Sequence, residues 1–268
     1  MVRRLGIIRN GYSQPLFHAL RSPVGPEFEF KLSEDTPANL SLKLRQGELD
    51  AAFLSPIDYA LGNEQFRIIP EAGLISAGES RAVRLQFKAN LSQIRSVAVT
   101  PDVSASDVVL ARLILAEKYE LAPGILPVSE YSQPVSQKAD AILVTGDEVP
   151  ADRDIHQLDL VDEWGDVTEL PYVHGMWVAT KEGLSGKEVR ELNRITQKGV
   201  AEYRFSGPVQ LWFEEHFAYQ LHEDAMAALG EFLNMAYYHG ILKELVVPRF
   251  LDMAASSKPL RRQAPGSN

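Results

Sequence analysis

A chain of 268 residues, 45% of them hydrophobic, is long enough to bury a core in one large unit or two smaller ones. Its net charge of -9 supplies no long-range pull on phosphate backbones or anionic lipid, so neither nucleic acid nor a membrane is expected as a partner, and an anionic ligand would need donors placed locally. The lack of cysteine removes disulfides, thiolate nucleophiles and cysteine metal ligands.

Short apolar runs alternate with segments of helical period, the pattern of βαβ units, so the fold class is α/β. Leu5 to Ile8 reads as the first strand. Arg9 and Asn10 interrupt it too early for the apolar stretch of an export signal, and a cytoplasmic protein is expected. Pro15 to Leu20 reads as a short helix and Glu27 to Leu32 as a second strand, with Phe28 and Phe30 alternating. Asp35 or Thr36 caps the next helix, whose first turn tolerates Pro37 and which Gly47 terminates. Ala51 to Leu54 is a buried strand, and Ser55-Pro56 opens another helix. Arg84 to Lys88 and Ser96 to Thr100 read as strands, and a cap within Ser104 to Asp107 starts a long helix through Tyr119. Ala139 to Thr145 is a buried strand ending in Gly146-Asp147-Glu148; Leu158 to Val161 and Tyr172 to Ala179 read as further strands. From Ser185 onward helical patterns run over 185–203, 208–218 and 222–240 with no strand between them. The polar tail 256–268, rich in proline and arginine, is expected to be mobile.

The simplest topology is two-lobed. The first lobe takes 1–86 and 176–268, with the C-terminal helices packed on it, the second takes 87–175, and a central cleft lies between them. Ligands of such sheets sit at the carboxyl ends of the strands. That rule selects Arg9 to Gln14, Ser55, Ser76 to Arg81, Ser104 to Asp107, Gly146-Asp147 and His174. Within those segments Arg9, Ser13, Ser55, Gly78, Ser80, Arg81, Ser104, Ser106, Asp107, Gly146, Asp147 and His174 are the expected ligand-binding residues. Ser104 and Ser106 stand where a helix start offers free N–H groups to a carboxylate, or where Ser104 merely caps. Arg9 and Arg81 read as carboxylate clamps or as ordinary surface ion-pair partners. Gly146 lets backbone approach a ligand, or only makes a turn with Asp147 as a cap. His174 reads as a satisfied structural histidine or as a titrating base in the cleft. His216, His222 and His239 have no ligand spacing, and no metal is expected. Glu182-Gly183-Leu184-Ser185-Gly186-Lys187 lacks phosphate-loop spacing and reads as a turn. Trp177, Trp212, Phe213, Phe217, Tyr237 and Tyr238 read as packing residues.

Asp35-Thr36-Pro37, Leu40, and Leu44-Arg45-Gln46-Gly47-Glu48-Leu49-Asp50 carry a resemblance. So do Asp140-Ala141-Ile142-Leu143-Val144-Thr145-Gly146-Asp147-Glu148, Asp159-Leu160-Val161-Asp162-Glu163-Trp164, Leu170-Pro171-Tyr172-Val173 and Met176-Trp177-Val178-Ala179. In that order and spacing, the chain resembles the futalosine-pathway menaquinone biosynthesis family, in its chorismate dehydratase branch. The resemblance implies a type II periplasmic-binding-protein-like fold adapted to a cytoplasmic lyase. There, chorismate loses water to give 3-[(1-carboxyvinyl)oxy]benzoate with neither a metal nor an organic cofactor. Catalysis would rest on holding a dicarboxylate rigidly and on oriented donors, and a substrate carboxylate can serve as the base.

The chain departs from the family at three loops. The family's catalytic Asn, three residues before a Pro-Leu pair, is matched by Tyr12, which inherits the catalytic expectation although a phenol offers different hydrogen bonds from an amide. The Gly-Pro-Val-x-Ser loop reads Gly78-Glu79-Ser80-Arg81-Ala82. The Ser-x-Arg-Thr-Ser loop reads Ser104-Ala105-Ser106-Asp107, where the carboxylate repels a dianion unless it caps its helix or meets a cation. Two functions stay open: the dehydratase, and a small-anion binding protein or enzyme of altered substrate on the same scaffold. Monomer and dimer are both compatible with the sequence.

Overall fold

A computed structural model describes residues 2–22, 29–88, 90–130, 139–146, 155–206 and 208–252. Phe28, Asp147 and the tail 256–268 lie outside the described residues. In chain order come β1 (Val2–Ile7), α1 (Gln14–His18), β2 (Glu29–Glu34), α2 (Pro37–Arg45), β3 (Ala51–Leu54), α3 (Pro56–Leu61) and β4 (Phe66–Ser76). Then follow β5 (Val83–Phe87), β6 (Ser96–Val99), α4 (Ala105–Glu117), β7 (Gly124–Pro127), β8 (Ala141–Thr145), β9 (His156–Asp159) and α5 (Leu160–Thr168). The last elements are β10 (Tyr172–Thr180), α6 (Gly186–Glu202), α7 (Pro208–His216), β11 (Phe217–Gln220) and α8 (Glu223–Tyr238).

The strands form two sheets, ordered β11-β4-β10-β3-β1-β2 and β7-β6-β8-β5-β9. In the first, β2, β1 and β3 are parallel while β10 runs antiparallel to both β3 and β4. In the second, β7, β6 and β8 are parallel and β5 is antiparallel to β8 and β9. The near-continuous burial of β3 and β10 fits central positions in the sheet: both are covered on two faces, so neither alternates. The chain crosses between the sheets twice, after β4 and before β10. Strand β5 therefore belongs to the second sheet and all of β10 to the first, which places both crossings earlier than positions 86 and 175.

Local chemistry sets the helix starts. Thr36, rather than Asp35, caps α2 by accepting the Asn39 N–H, and Pro37 occupies the first turn. Gly47, at φ +74, takes the left-handed position beyond its end. Ser104 caps α4 by accepting the Asp107 N–H at 3.1 Å. Ser185 and Glu188 form a reciprocal capping box at the start of α6. Ser185→Ala is expected to lower stability by about 1 kcal/mol. Urea denaturation would read this directly, and an unchanged midpoint would show the cap to be redundant.

Four elements differ from the sequence reading. Leu158 to Val161 is not one strand: β9 ends at Asp159, whose carboxylate accepts the N–H groups of Val161 (3.0 Å) and Asp162 (3.3 Å) and starts α5. The C-terminal helices do have a strand between them, because Phe217–Gln220 pairs with β4 as β11. Strands β4 and β7 carry Pro70 and Pro127, residues that blunt a strand signal. Tyr238 is 80% exposed and meets only the edge of neighbouring Tyr237 among the described aromatic rings, so it is not a core packing residue. Among the described residues no helix is long and apolar enough to cross a membrane.

Candidate functional site

Loops from both sheets enclose a cavity of about 670 Å³. The first sheet contributes Ile8 to Tyr12 after β1, Glu34 to Pro37 after β2, and His174 in β10; the second contributes Asp102, Ser104 and Asp107 around the start of α4, and Thr145-Gly146 at the end of β8. These are strand ends, the location that open α/β sheets favour.

The loop after β1 is fixed from within: the Asn10 side-chain oxygen accepts the Ser13 N–H at 2.9 Å, and its carbonyl accepts the Ser13 hydroxyl and the Gln14 amide. This turn delivers Tyr12 into an aromatic cluster. The Tyr12 ring stacks on Phe217 (5.1 Å, 15°), meets the edge of Phe213 at 5.5 Å and lies 5.5 Å from His174. Tyr12 is both a wall of the cavity and a packed residue, its ring partners coming from β10, α7 and β11.

His174 is buried on β10 with its Nε2 2.6 Å from the Ser76 hydroxyl, while its Nδ1 has no hydrogen-bond partner among the described residues. Burial pushes its pKa down to about 3, so the imidazole is neutral at ordinary pH. It is neither a titrating base nor a fully satisfied structural residue.

The acidic groups on the wall fall into two kinds. Arg21 foremost, and then Arg9, hold Glu34 below the usual carboxylate range, and Lys43 foremost holds Asp35 down at about 2. Arg9, expected as a ligand clamp, spends its guanidinium on Glu34 at 2.9 Å and is otherwise in solvent. Asp107 has no such cation among the described residues. It lies buried in the first turn of α4, with the Tyr172 hydroxyl donating to its Oδ1 at 3.2 Å. Burial foremost, with a contribution from the Asp58 carboxylate, pushes its pKa up to about 6. Of the two escapes open to this carboxylate, a helix cap and a cation, it uses the first through the hydroxyl and backbone of Ser104, but burial outweighs them and it keeps its proton longer.

Of the residues expected at the site, Arg9, Tyr12, Ser104, Asp107, Gly146 and His174 share the cavity wall. Ser13, Ser55, Gly78, Ser80, Arg81 and Ser106 stand off it, each for a visible reason. Ser13 is spent in the Asn10 turn. Ser55 caps α3 and donates to Asp58 at 2.7 Å. The Ser106 hydroxyl accepts the Ile57 N–H at 2.8 Å, fastening α4 to α3. In the crossing after β4, Gly78 turns at φ +64, and the buried Ser80 hydroxyl accepts the Ala82 N–H. Arg81 lies flat over Trp212, its guanidinium carbon 3.7 Å from the ring centroid. Trp212 in turn stacks on His216 at 4.0 Å and donates to the Glu79 carbonyl.

Sequence reasoning missed Glu34, Asp35, Thr36, Asp102 and Thr145 as wall residues, and missed buried Arg84, whose Nη2 donates to the Gly146 carbonyl at 3.1 Å. The strand-end rule itself could have found Glu34 to Thr36 and Thr145. The local signal marks Asp35 and Thr36 only as a helix cap and Thr145 only as a strand end, and it says nothing of Glu34.

Comparison with known proteins extends these observations. The chain is 27% identical, over 85% of its own length and 93% of the relative's, to a chorismate dehydratase of Thermus thermophilus. Among solved structures it is similar to protein AF1704 from Archaeoglobus fulgidus, with a TM-score of 0.73 and 20% identity, covering 90% of this chain and 98% of that one. It is also similar to the alkanesulfonate-binding protein SsuA from Xanthomonas axonopodis bound to MOPS, with a TM-score of 0.60 and 14% identity, covering 91% and 96%. The two-sheet α/β architecture is thus that of periplasmic-binding-protein-like structures. A family model described as menaquinone biosynthesis matches residues 3–238. A match that takes in both sheets and every wall of the cavity makes this chain a member of the menaquinone biosynthesis family.

Proposed function

We propose that the protein is a carbon–oxygen lyase that removes water from chorismate to give 3-[(1-carboxyvinyl)oxy]benzoate. The observation that carries this reading is the convergence of two helix starts, those of α2 and α4, from opposite sheets on one cavity. Each start turns the positive end of a helix dipole to the cavity, a setting that suits one carboxylate of a dianion, while at α2 the Thr36 and Asn39 N–H groups are already held by Asp35 and Thr36. Arg9, Arg21 and Lys43 offset the charges of Glu34 and Asp35, so that part of the wall is not a bare acidic face. Membership of the family and the name of the Thermus relative support the same reaction.

Chemically, the elimination breaks a ring C–H bond and expels the neighbouring hydroxyl, and aromaticity supplies the driving force. The protein's part is to hold both carboxylates so that one of them stands beside the ring hydrogen, and to exclude bulk water while charge shifts. The rigid Asn10 turn, the Tyr12 ring and the Gly146 turn held by Arg84 give that cavity fixed walls.

Incubating the purified chain with chorismate at pH 7 is expected to yield the enolpyruvyl benzoate on chromatography. Absence of product overturns the proposal. If thermal-shift screening then finds a different organic acid that binds, the scaffold is a small-anion binding protein, the reading favoured by a phenol at position 12.

A further inference from the structure

We propose that Asp107 is the acid that delivers a proton to the departing oxygen. This rests on the lyase reading above. Hydroxide is a poor leaving group, and an elimination that expels it gains from a proton donor placed at the oxygen. Among the described residues four carboxyl groups line the cavity, and their surroundings sort them. Glu34 is paired with Arg9 and Arg21, and Asp35 with Lys43, so both stay ionised. Asp102 is exposed to water. Asp107 alone of these four is buried, and none of the groups that act most strongly on it among the described residues is a cation. Ser104 belongs to its own helix start, Tyr172 comes from β10, and Asp58 comes from α3 and is another buried carboxyl. Behind Tyr172 stand the neutral His174 and the phenol of Tyr12. Every one of these neighbours is neutral or negative. A dianionic ligand entering the cavity adds further negative charge and raises the cost of ionising Asp107 in the bound state.

The step balances. The C–H bond beside the hydroxyl-bearing carbon breaks, its proton passing to a carboxylate of the substrate and its electron pair forming the ring double bond. The C–O bond breaks with its pair on oxygen, and that oxygen takes the Asp107 proton and leaves as water. The resulting Asp107 carboxylate is held by the Tyr172 hydroxyl, near the N-terminal amides of α4. The proton on the substrate carboxylate returns to Asp107 through solvent, and the net change is loss of one water.

The test compares the wild type with Asp107→Asn, which keeps an oxygen to accept from Tyr172 but has no acidic proton. The wild-type kcat is expected to fall on the alkaline side with the loss of a single proton. The variant is expected to lose about 10²- to 10³-fold in kcat, the range of general acid catalysis, and to show no alkaline limb, while its KM is unchanged or lower because a repelling carboxylate is gone. A variant that keeps kcat within a few-fold, or keeps the same alkaline limb, overturns the proposal. A wild type with no chorismate turnover overturns it together with the lyase reading, and the two failures are distinguished by whether the unmutated protein is active. Should the variant fail to fold by circular dichroism, a wild-type kcat that stays flat toward alkaline pH overturns it without mutagenesis.

Discussion

Trp177→Ala is expected to lower the free energy of unfolding by about 3–5 kcal/mol, the range for emptying a large aromatic site in a close-packed core. Trp177 is fully buried on β10, the strand that joins the parallel part of the first sheet to β4. Its ring meets the edges of Phe17 (5.7 Å) and Phe53 (5.8 Å), so truncation empties the seam between α1 and β3. Trp177→Phe should behave quite differently. The indole N–H is buried without a partner among the described residues, and removing it relieves a desolvated donor that offsets part of the lost area. Trp164 supplies the control, because its indole donates to the Pro171 carbonyl at 3.0 Å and phenylalanine would strand that acceptor. Urea denaturation followed by circular dichroism ranks the three variants. A Trp177→Phe cost as large as that of Trp164→Phe would sink the account of the unpaired indole.

Asp58→Asn is expected to stabilise the protein above neutrality, by up to about 3 kcal/mol for a shift near two pKa units at 1.36 kcal/mol each. Asp58 is buried in α3 and takes one hydrogen bond from Ser55; burial pushes its pKa from 3.8 up to about 6. Between those values the native state holds a proton that the unfolded chain has released. The stability from this group is therefore complete below about pH 4 and lost as pH rises through 6. Asparagine keeps the acceptor for Ser55 and never ionises. The advantage of the variant should appear between pH 4 and 6, level off at pH 8 and vanish at pH 4. Denaturation midpoints of both proteins across that range test it, and a difference that does not vary with pH rules it out. Because the Asp58 charge also raises the Asp107 pKa, the variant should ease ionisation at the cavity as well.

Elements whose whole signal is local were legible in the sequence. The all-buried Ala51–Leu54 needs only its apolar run, α2 needs Thr36-Pro37 and Gly47, and α4 needs Ser104 and its long apolar face. What stayed hidden depends on partners distant in sequence. Phe217–Gln220 continues the apolar spacing of α7 and becomes a strand only because the edge of β4 is open to pair with it. Leu160 and Val161 look like strand until the Asp159 carboxylate is seen capping them into helix, and Glu71 at φ +80 beside Pro70 disguises β4. At the site, the loops could be named from strand ends, but side-chain direction could not. Arg9 and Arg81 carried the right charge for an anion, yet Glu34 and the Trp212 face claimed them. Asp107 looked like an obstacle to an anion because its protonation depends on burial and on the Asp58 carboxylate, which is far away in sequence.

The layer of Arg81, Trp212 and His216 also has an optical consequence. Of the three tryptophans, Trp164 and Trp177 sit at 0% exposure and emit from a dry interior, whereas Trp212 is half-buried between a guanidinium and an imidazole. Two side chains flank its ring, one of them on the segment by which the backbone first leaves the N-terminal sheet. Fluorescence at the red edge of the emission band thus originates beside that passage, and the molecule carries an intrinsic reporter of whether its two halves keep their spacing.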